Sequence, residues 1–338
     1  MTRLSVSKID FDFYHYCVKS VMGIPTYAKE LAAIFTLFIM SPVNAALPPV
    51  GWTKVWDGPV GQVLWNTGHM YVTRGNYTNP TGDIYEYNIE QDSWTKIGGP
   101  GKIFEVSEDK LYGISPTGGN VYEYTGTPMQ WTYIGNDAKW LYRRQKGVYV
   151  TSISTGDIIQ YNENIGWQRI GSPGKMFSSC FPCSAAPLYG ITPDGRELYR
   201  WEKFDDNQPG KWTKFGGSAG KIYAYPIGVY ATNPTTNDIW NRSTTLYKTA
   251  SGGASVSDTG WNKIGGPAKA IAVDSVGNLY AITPDGQHVN RFSVSLKTWR
   301  PVGDAAGKIF APEVPTSIFQ ACATNPTTGA LWCWRKDF

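Results

Sequence analysis

The sequence predicts an all-β protein: a seven-bladed β-propeller of four-stranded blades, with the ring closed between its N- and C-terminal strands. Three observations carry that prediction. Seven segments begin with Trp, at Trp52, Trp94, Trp131, Trp167, Trp212, Trp261 and Trp299, separated by 42, 37, 36, 45, 49 and 38 residues. A period near 40 holding four short strands is propeller spacing. The composition agrees, with 14% aromatic residues, only 17% charged and 37 glycines in 338 residues, a profile of short strands joined by Gly/Pro turns. Finally, the chain runs from a Trp strand at Trp52 to a strand at Ala330–Trp334, so the first strand can complete the last blade.

Residues 1–45 read differently. Leu31 to Met40 is an apolar run too short to span a bilayer, preceded by Lys29 and followed by Ser41-Pro42-Val43-Asn44-Ala45. This is the pattern of a cleavable signal peptide ending at Ala45, with Met22 an alternative start. Residues 46–338 then form the propeller. Cys17 falls in the leader, leaving Cys180, Cys183, Cys322 and Cys333, and an even count in an exported chain implies disulfides. The expected location is extracellular, with no membrane span after cleavage.

Within a unit the pattern is Trp-x-Lys/Arg-Ile-Gly-Gly-Pro-Gly-Lys, an apolar pair, a turn, a strand containing Tyr, a second turn and another strand. Trp94 to Phe104 shows it cleanly. The second turn has two forms. Units two, four and six carry Leu-Tyr-Gly/Ala-Ile-Ser/Thr-Pro-Thr/Asp-Gly from Leu111, Leu188 and Leu279, and units five and seven share Ala-Thr-Asn-Pro-Thr-Thr from Ala231 and Ala323. Both are hairpin signals. A four-stranded sheet cannot bury both faces alone, so the units must pack in a ring. With the Trp strand outermost, each Gly-Gly-Pro-Gly-Lys segment crosses to the innermost strand of the next blade. Those crossings then share one face with the Pro turns, while Cys180–Cys183 and the 241–260 insertion lie on the other.

The Trp-x-x-Ile-Gly-Gly start, with its later Tyr-Gly-Ile and Gly-closed turn, resembles the tectonin repeat of propeller lectins, and in style the tachylectin-type propellers. The resemblance covers residues 52–338. It implies a non-enzymatic, secreted protein that binds glycans through repeated sites in recognition or defence. The alternatives are a secreted propeller lyase or hydrolase acting on polysaccharide, or a protein-interaction or elicitor scaffold.

Chemistry legible in the sequence fits a binding protein. Beyond the leader only His69 and His288 remain, and no metal-site spacing, nucleophile elbow, phosphate loop or calcium loop occurs. No cofactor, metal or catalytic residue is therefore expected. A net charge of +4 without a run of basic residues argues against nucleic acid. Asp194 and Asp285 occupy matching turns and read as turn formers. The seven repeat Trp read as packing between blades, whereas Trp140 and Trp201 depart from the repeat and are candidates for exposed ligand contact. A lysine closes six of the seven crossings, at Lys102, Lys139, Lys175, Lys221, Lys269 and Lys308, with Gln62 in the first. Placed around one channel mouth, these lysines would concentrate anionic or modified sugars. Cys322 and Cys333 flank the Asn325–Gly329 turn at positions matching Tyr230 and Asn241, which predicts a disulfide across that hairpin. Cys180-Phe-Pro-Cys183 reads as a second structural disulfide, although four cysteines permit other pairings. Asn76 and Asn241 are glycosylation acceptors.

Overall fold

In a computed structural model of the chain, residues 51–75, 82–180, 188–202, 210–248, 254–314 and 317–335 are described. The N-terminal segment, Asn76 and Cys183 lie outside them. All described regular structure is strand, organised as seven antiparallel sheets. Blade 1 runs from its inner strand Val60–Asn66 to its outer strand Ser93–Gly101, and blade 2 from Ile103–Val106 to Trp131–Gly135. Blade 3 (Ala138–Arg143 to Gly166–Gly171), blade 4 (Met176–Ser179 to Lys211–Gly216) and blade 6 (Ala270–Val273 to Thr298–Gly303) follow the same order.

Blade 7 closes the ring as the sequence predicts. Its inner strand Ile309–Phe310 pairs with Phe319–Thr324, then Leu331–Arg335, and the outer position is filled by Trp52–Trp56 from the other end of the chain. Trp52 lies opposite Trp334 and stacks on it at 6.3 Å. Blade 5 departs from the pattern. Its third strand, Ile239–Lys248, runs past the outer strand Asn262–Gly265 and pairs with an added strand, Ala254–Asp258. Most of the 241–260 insertion is thus a hairpin extension of one blade.

The repeat motif is a staple between blades. The indole N–H of Trp131 donates to the Ile97 carbonyl of the preceding outer strand at 2.9 Å, and Trp167 and Trp212 do the same to Ile134 and Ile170 at 2.8 Å. Trp52, Trp94 and Trp299 bond Val302, Val55 and Ile264 likewise. The glycine after each acceptor is there because the indole fills its side-chain space. A Cβ on Gly135 would lie 2.7 Å from the Trp167 ring nitrogen, and one on Gly171 2.6 Å from that of Trp212. So Trp-x-x-Ile-Gly encodes one joint twice over: the donor ring for the blade before, and the acceptor and socket for the blade after.

Two further pairs show the same complementarity. Phe104 and Phe177 sit opposite Gly113 and Gly190, where a Cβ would approach the ring to 2.8 and 2.7 Å. In blade 6 the phenylalanine is replaced by Ile271, and its partner is Ala281 rather than glycine. The two turn forms differ in how they hold the start of their own blade's inner strand. In blades 2, 4 and 6 the backbone N–H of Lys102, Lys175 and Lys269 donates to an Ile carbonyl. In blades 5 and 7 that of Lys221 and Lys308 donates to the Thr232 and Thr324 hydroxyls, both at 2.9 Å.

Candidate functional site

Hydrogen bonds bring the crossings and the Pro turns together on one face, as predicted. Ala138, Ala219 and Ala306 in the crossings donate to the carbonyls of Gly119, Gly195 and Gly286 in the Pro turns of the blade just left. Asp194 and Asp285 are turn formers. Each accepts from its Thr hydroxyl, at 2.6 and 2.5 Å, and from the backbone two residues on, contacts that hold both carboxyls below the usual range.

Within the ring of inner strands lies a cavity of about 740 Å³. Its wall includes Lys139, Lys175 and Lys221 from blades 3, 4 and 5, Trp140 beside the first of these, and Glu105, Arg143 and Glu313. Three of the six crossing lysines therefore meet on one cavity, all of them exposed. The other three do not. Lys308 is half-buried, its ammonium donates to the Val60 carbonyl across the closure at 2.7 Å, and burial pushes its pKa down. Lys269, whose ammonium lies at its own blade's turn as that of Lys175 does at Gly195, and half-buried Lys102 are not part of the wall. In blade 1 the lysine is replaced by Gln62, whose amide bonds both the N–H and the carbonyl of Phe104, at 2.9 and 3.0 Å. That side chain ties two neighbouring inner strands together much as a backbone bridge would.

Trp140 reaches solvent through a β-bulge. Ala138 pairs with Ser152 and Trp140 with Thr151, so Lys139 and Trp140 occupy one pairing step, and both face outward while Ala138 and Leu141 are buried. A bulge commonly re-aims a side chain in this way. The crossing before it is anchored by Asp137, at a backbone φ of 65°, which accepts from the Ser152 and Ser154 hydroxyls at 2.5 and 2.7 Å. Those hydroxyls lower its pKa. Trp140 is 42% exposed. Trp201 is placed otherwise: it is half-buried, lies 5.5 Å from the ring of Trp212 and takes no part in the cavity.

Below the lysines the wall carries charges that no motif announced. Discounting the bulge residue, Glu105 and Arg143 hold equivalent positions on adjacent inner strands. The Arg143 guanidinium is 3.5 Å from the Glu105 carboxylate, 2.9 Å from that of Glu313 and donates to the Trp65 carbonyl at 2.9 Å. Burial raises the Glu105 pKa to about 7; Arg143 opposes that shift and Glu313 adds to it.

The remaining predicted residues are structural in placement. Cys322 and Cys333 face each other across their hairpin and form a disulfide, in the register that Tyr230 and Asn241 hold in blade 5. Cys180 is buried at the end of a blade 4 strand, and its expected pairing with Cys183 falls outside the described residues. Asn241 lies in a strand, half-buried, its amide donating to the Tyr225 hydroxyl at 2.7 Å. His69 pairs with Glu86, which raises its pKa. Among the described residues no cluster of metal-ligating side chains occurs, and no helix is long and apolar enough to cross a membrane.

No protein-family model matches the chain, and no curated protein matches it in sequence. Solved structures do match in shape. A streptogramin B lyase aligns with TM-score 0.54 at 10% identity, over 83% of this chain and 96% of its own. A catalytically inactive virginiamycin B lyase from Staphylococcus aureus with quinupristin aligns at 0.53 and 12%, over 86% and 100%. YCF48 from Cyanidioschyzon merolae aligns at 0.52 and 16%, over 84% and 98%. At these identities the likeness is one of fold.

Proposed function

We propose that this propeller is a secreted carbohydrate-binding protein of the tectonin-like kind, without enzymatic activity, whose ring cavity takes anionic glycans. The observation that carries the reading is the exposed indole of Trp140 beside Lys139, Lys175 and Lys221 on one cavity wall. An indole face suits the apolar face of a pyranose ring, and three cationic side chains at a concave mouth raise the local concentration of sulfated, phosphorylated or uronic sugars. Export is supported by the leader pattern of the sequence and by the Cys322–Cys333 disulfide.

A glycan array probed with the mature protein tests this. Binding that favours anionic over neutral glycans of equal size, without release of reducing ends, is expected. Uniform failure to bind, or cleavage of the bound glycan, would overturn it.

A further inference from the structure

The cavity wall holds two carboxylates against one guanidinium. Glu105 projects from the inner strand of blade 2, Arg143 from that of blade 3, and Glu313 from the segment after the inner strand of blade 7. Arg143 is only 5% exposed at its side chain and Glu105 20%, while Glu313 at 45% faces the open cavity. One cation cannot neutralise two carboxylates. In so enclosed a place the surplus negative charge is costly, and taking up a proton at the less solvated carboxylate removes it. Glu105 is that carboxylate.

We propose that the Glu105–Arg143–Glu313 cluster is a proton switch that sets the charge of the cavity and with it the affinity for anionic glycans. It rests on the glycan-binding reading above. With Glu105 ionised the cluster carries one net negative charge beneath the lysines and opposes an incoming anion. With Glu105 protonated the cluster is neutral and the lysines act unopposed. Burial places that change near pH 7, so binding tightens as pH falls through neutrality.

Among the described residues, the charged and titratable groups around Glu105 come from blades 2, 3, 4, 5 and 7. Tyr112 is its cross-strand partner. Arg143 and Lys139 come from blade 3, Lys175 and Lys221 from blades 4 and 5, and Glu313 from blade 7. The two described histidines lie elsewhere, His69 against Glu86 and His288 in the Pro turn of blade 6, so any pH effect of theirs persists in a Glu105 variant.

Heparin titrated against the full mature protein from pH 8 to pH 6 provides the test. Wild-type affinity is expected to rise about three- to tenfold, the effect of one unit charge at short range in a partly screened cavity. Glu105→Gln fixes the neutral state and is expected to bind at the low-pH affinity throughout. Glu313→Gln removes the like charge and is expected to move the midpoint to lower pH, a shift that a purely structural role would not produce. Heparin bound with the same pH profile by wild type and Glu105→Gln contradicts the switch and leaves the binding reading standing. Heparin bound at no pH removes both. A direct ¹³C-carboxyl titration of wild type separates the cases independently: a Glu105 midpoint below about 5 eliminates the switch whatever heparin does.

Discussion

Gly171 has no side chain because the indole of Trp212 occupies the place where one would lie, with contacts of 2.6 and 3.1 Å to ring atoms and 2.9 Å to Ile158. Gly171→Ala is therefore expected to lower unfolding stability by about 1–3 kcal/mol, the range for overpacking a well-filled site. Gly217→Ala, where a Cβ meets nothing within 4 Å, should change it little; thermal unfolding of the two variants side by side checks this. The seven-fold repeat supplies a second internal control. Six repeat indoles donate to a carbonyl of the blade before, but in the seventh joint the Arg242 guanidinium bonds the Phe215 carbonyl in place of Trp261, lying 4.0 Å over the Phe215 ring. Trp131→Phe should accordingly cost about 1 kcal/mol more than Trp261→Phe, the worth of one hydrogen bond and its orphaned carbonyl. Equal costs in denaturant titrations would mean that the staple is packing alone. The motif's spacing was legible in the sequence, and so was its packing role. The reason for its glycine was not, because the ring that fills the socket comes from the next repeat, Trp167 for Gly135 and Trp212 for Gly171.

The hairpin of Phe319–Thr324 and Leu331–Arg335 sits beside the strand that closes the ring, and its Cys322–Cys333 bond spans 11 residues. Replacing both cysteines by alanine is expected to reduce stability by about 2–3 kcal/mol through the regained freedom of that loop in the unfolded chain. Guanidinium unfolding with and without reductant reads the difference. That pairing could be predicted because a repeat carries its own register: Tyr230 and Asn241 face each other in blade 5 as the cysteines do in blade 7. Elements outside the repeat gave less away. The 241–260 insertion marked an irregular blade, but its form as an extension of Ile239–Lys248 depends on pairing with Ala254–Asp258, a stretch without repeat spacing. The bulge at Trp140 was equally hidden. One extra residue between a lysine and its apolar pair shifts every side chain after it, and it is this shift that turns the indole outward.

Across the whole molecule, identical spacing did not produce identical environments. Six lysines recur at one position of the repeat, yet three converge on the cavity while Lys102, Lys269 and Lys308 stay off its wall, the last held by the Val60 carbonyl at the closure. Glu105, Arg143 and Glu313 were illegible for the opposite reason. They come from three blades and share no motif, and only the ring brings them to one wall. Because attraction at an open mouth is screened, anionic ligands should bind more weakly as ionic strength rises past about 0.1 M, where the Debye length falls to roughly 10 Å. The claim that the cavity is the binding site is tested most directly by titrating heparin against wild type and a variant with Lys139, Lys175 and Lys221 all changed to Gln. A loss of at least about tenfold in affinity is predicted, equivalent to about 1.4 kcal/mol, with the fold intact by circular dichroism. Unchanged affinity in that variant would contradict it.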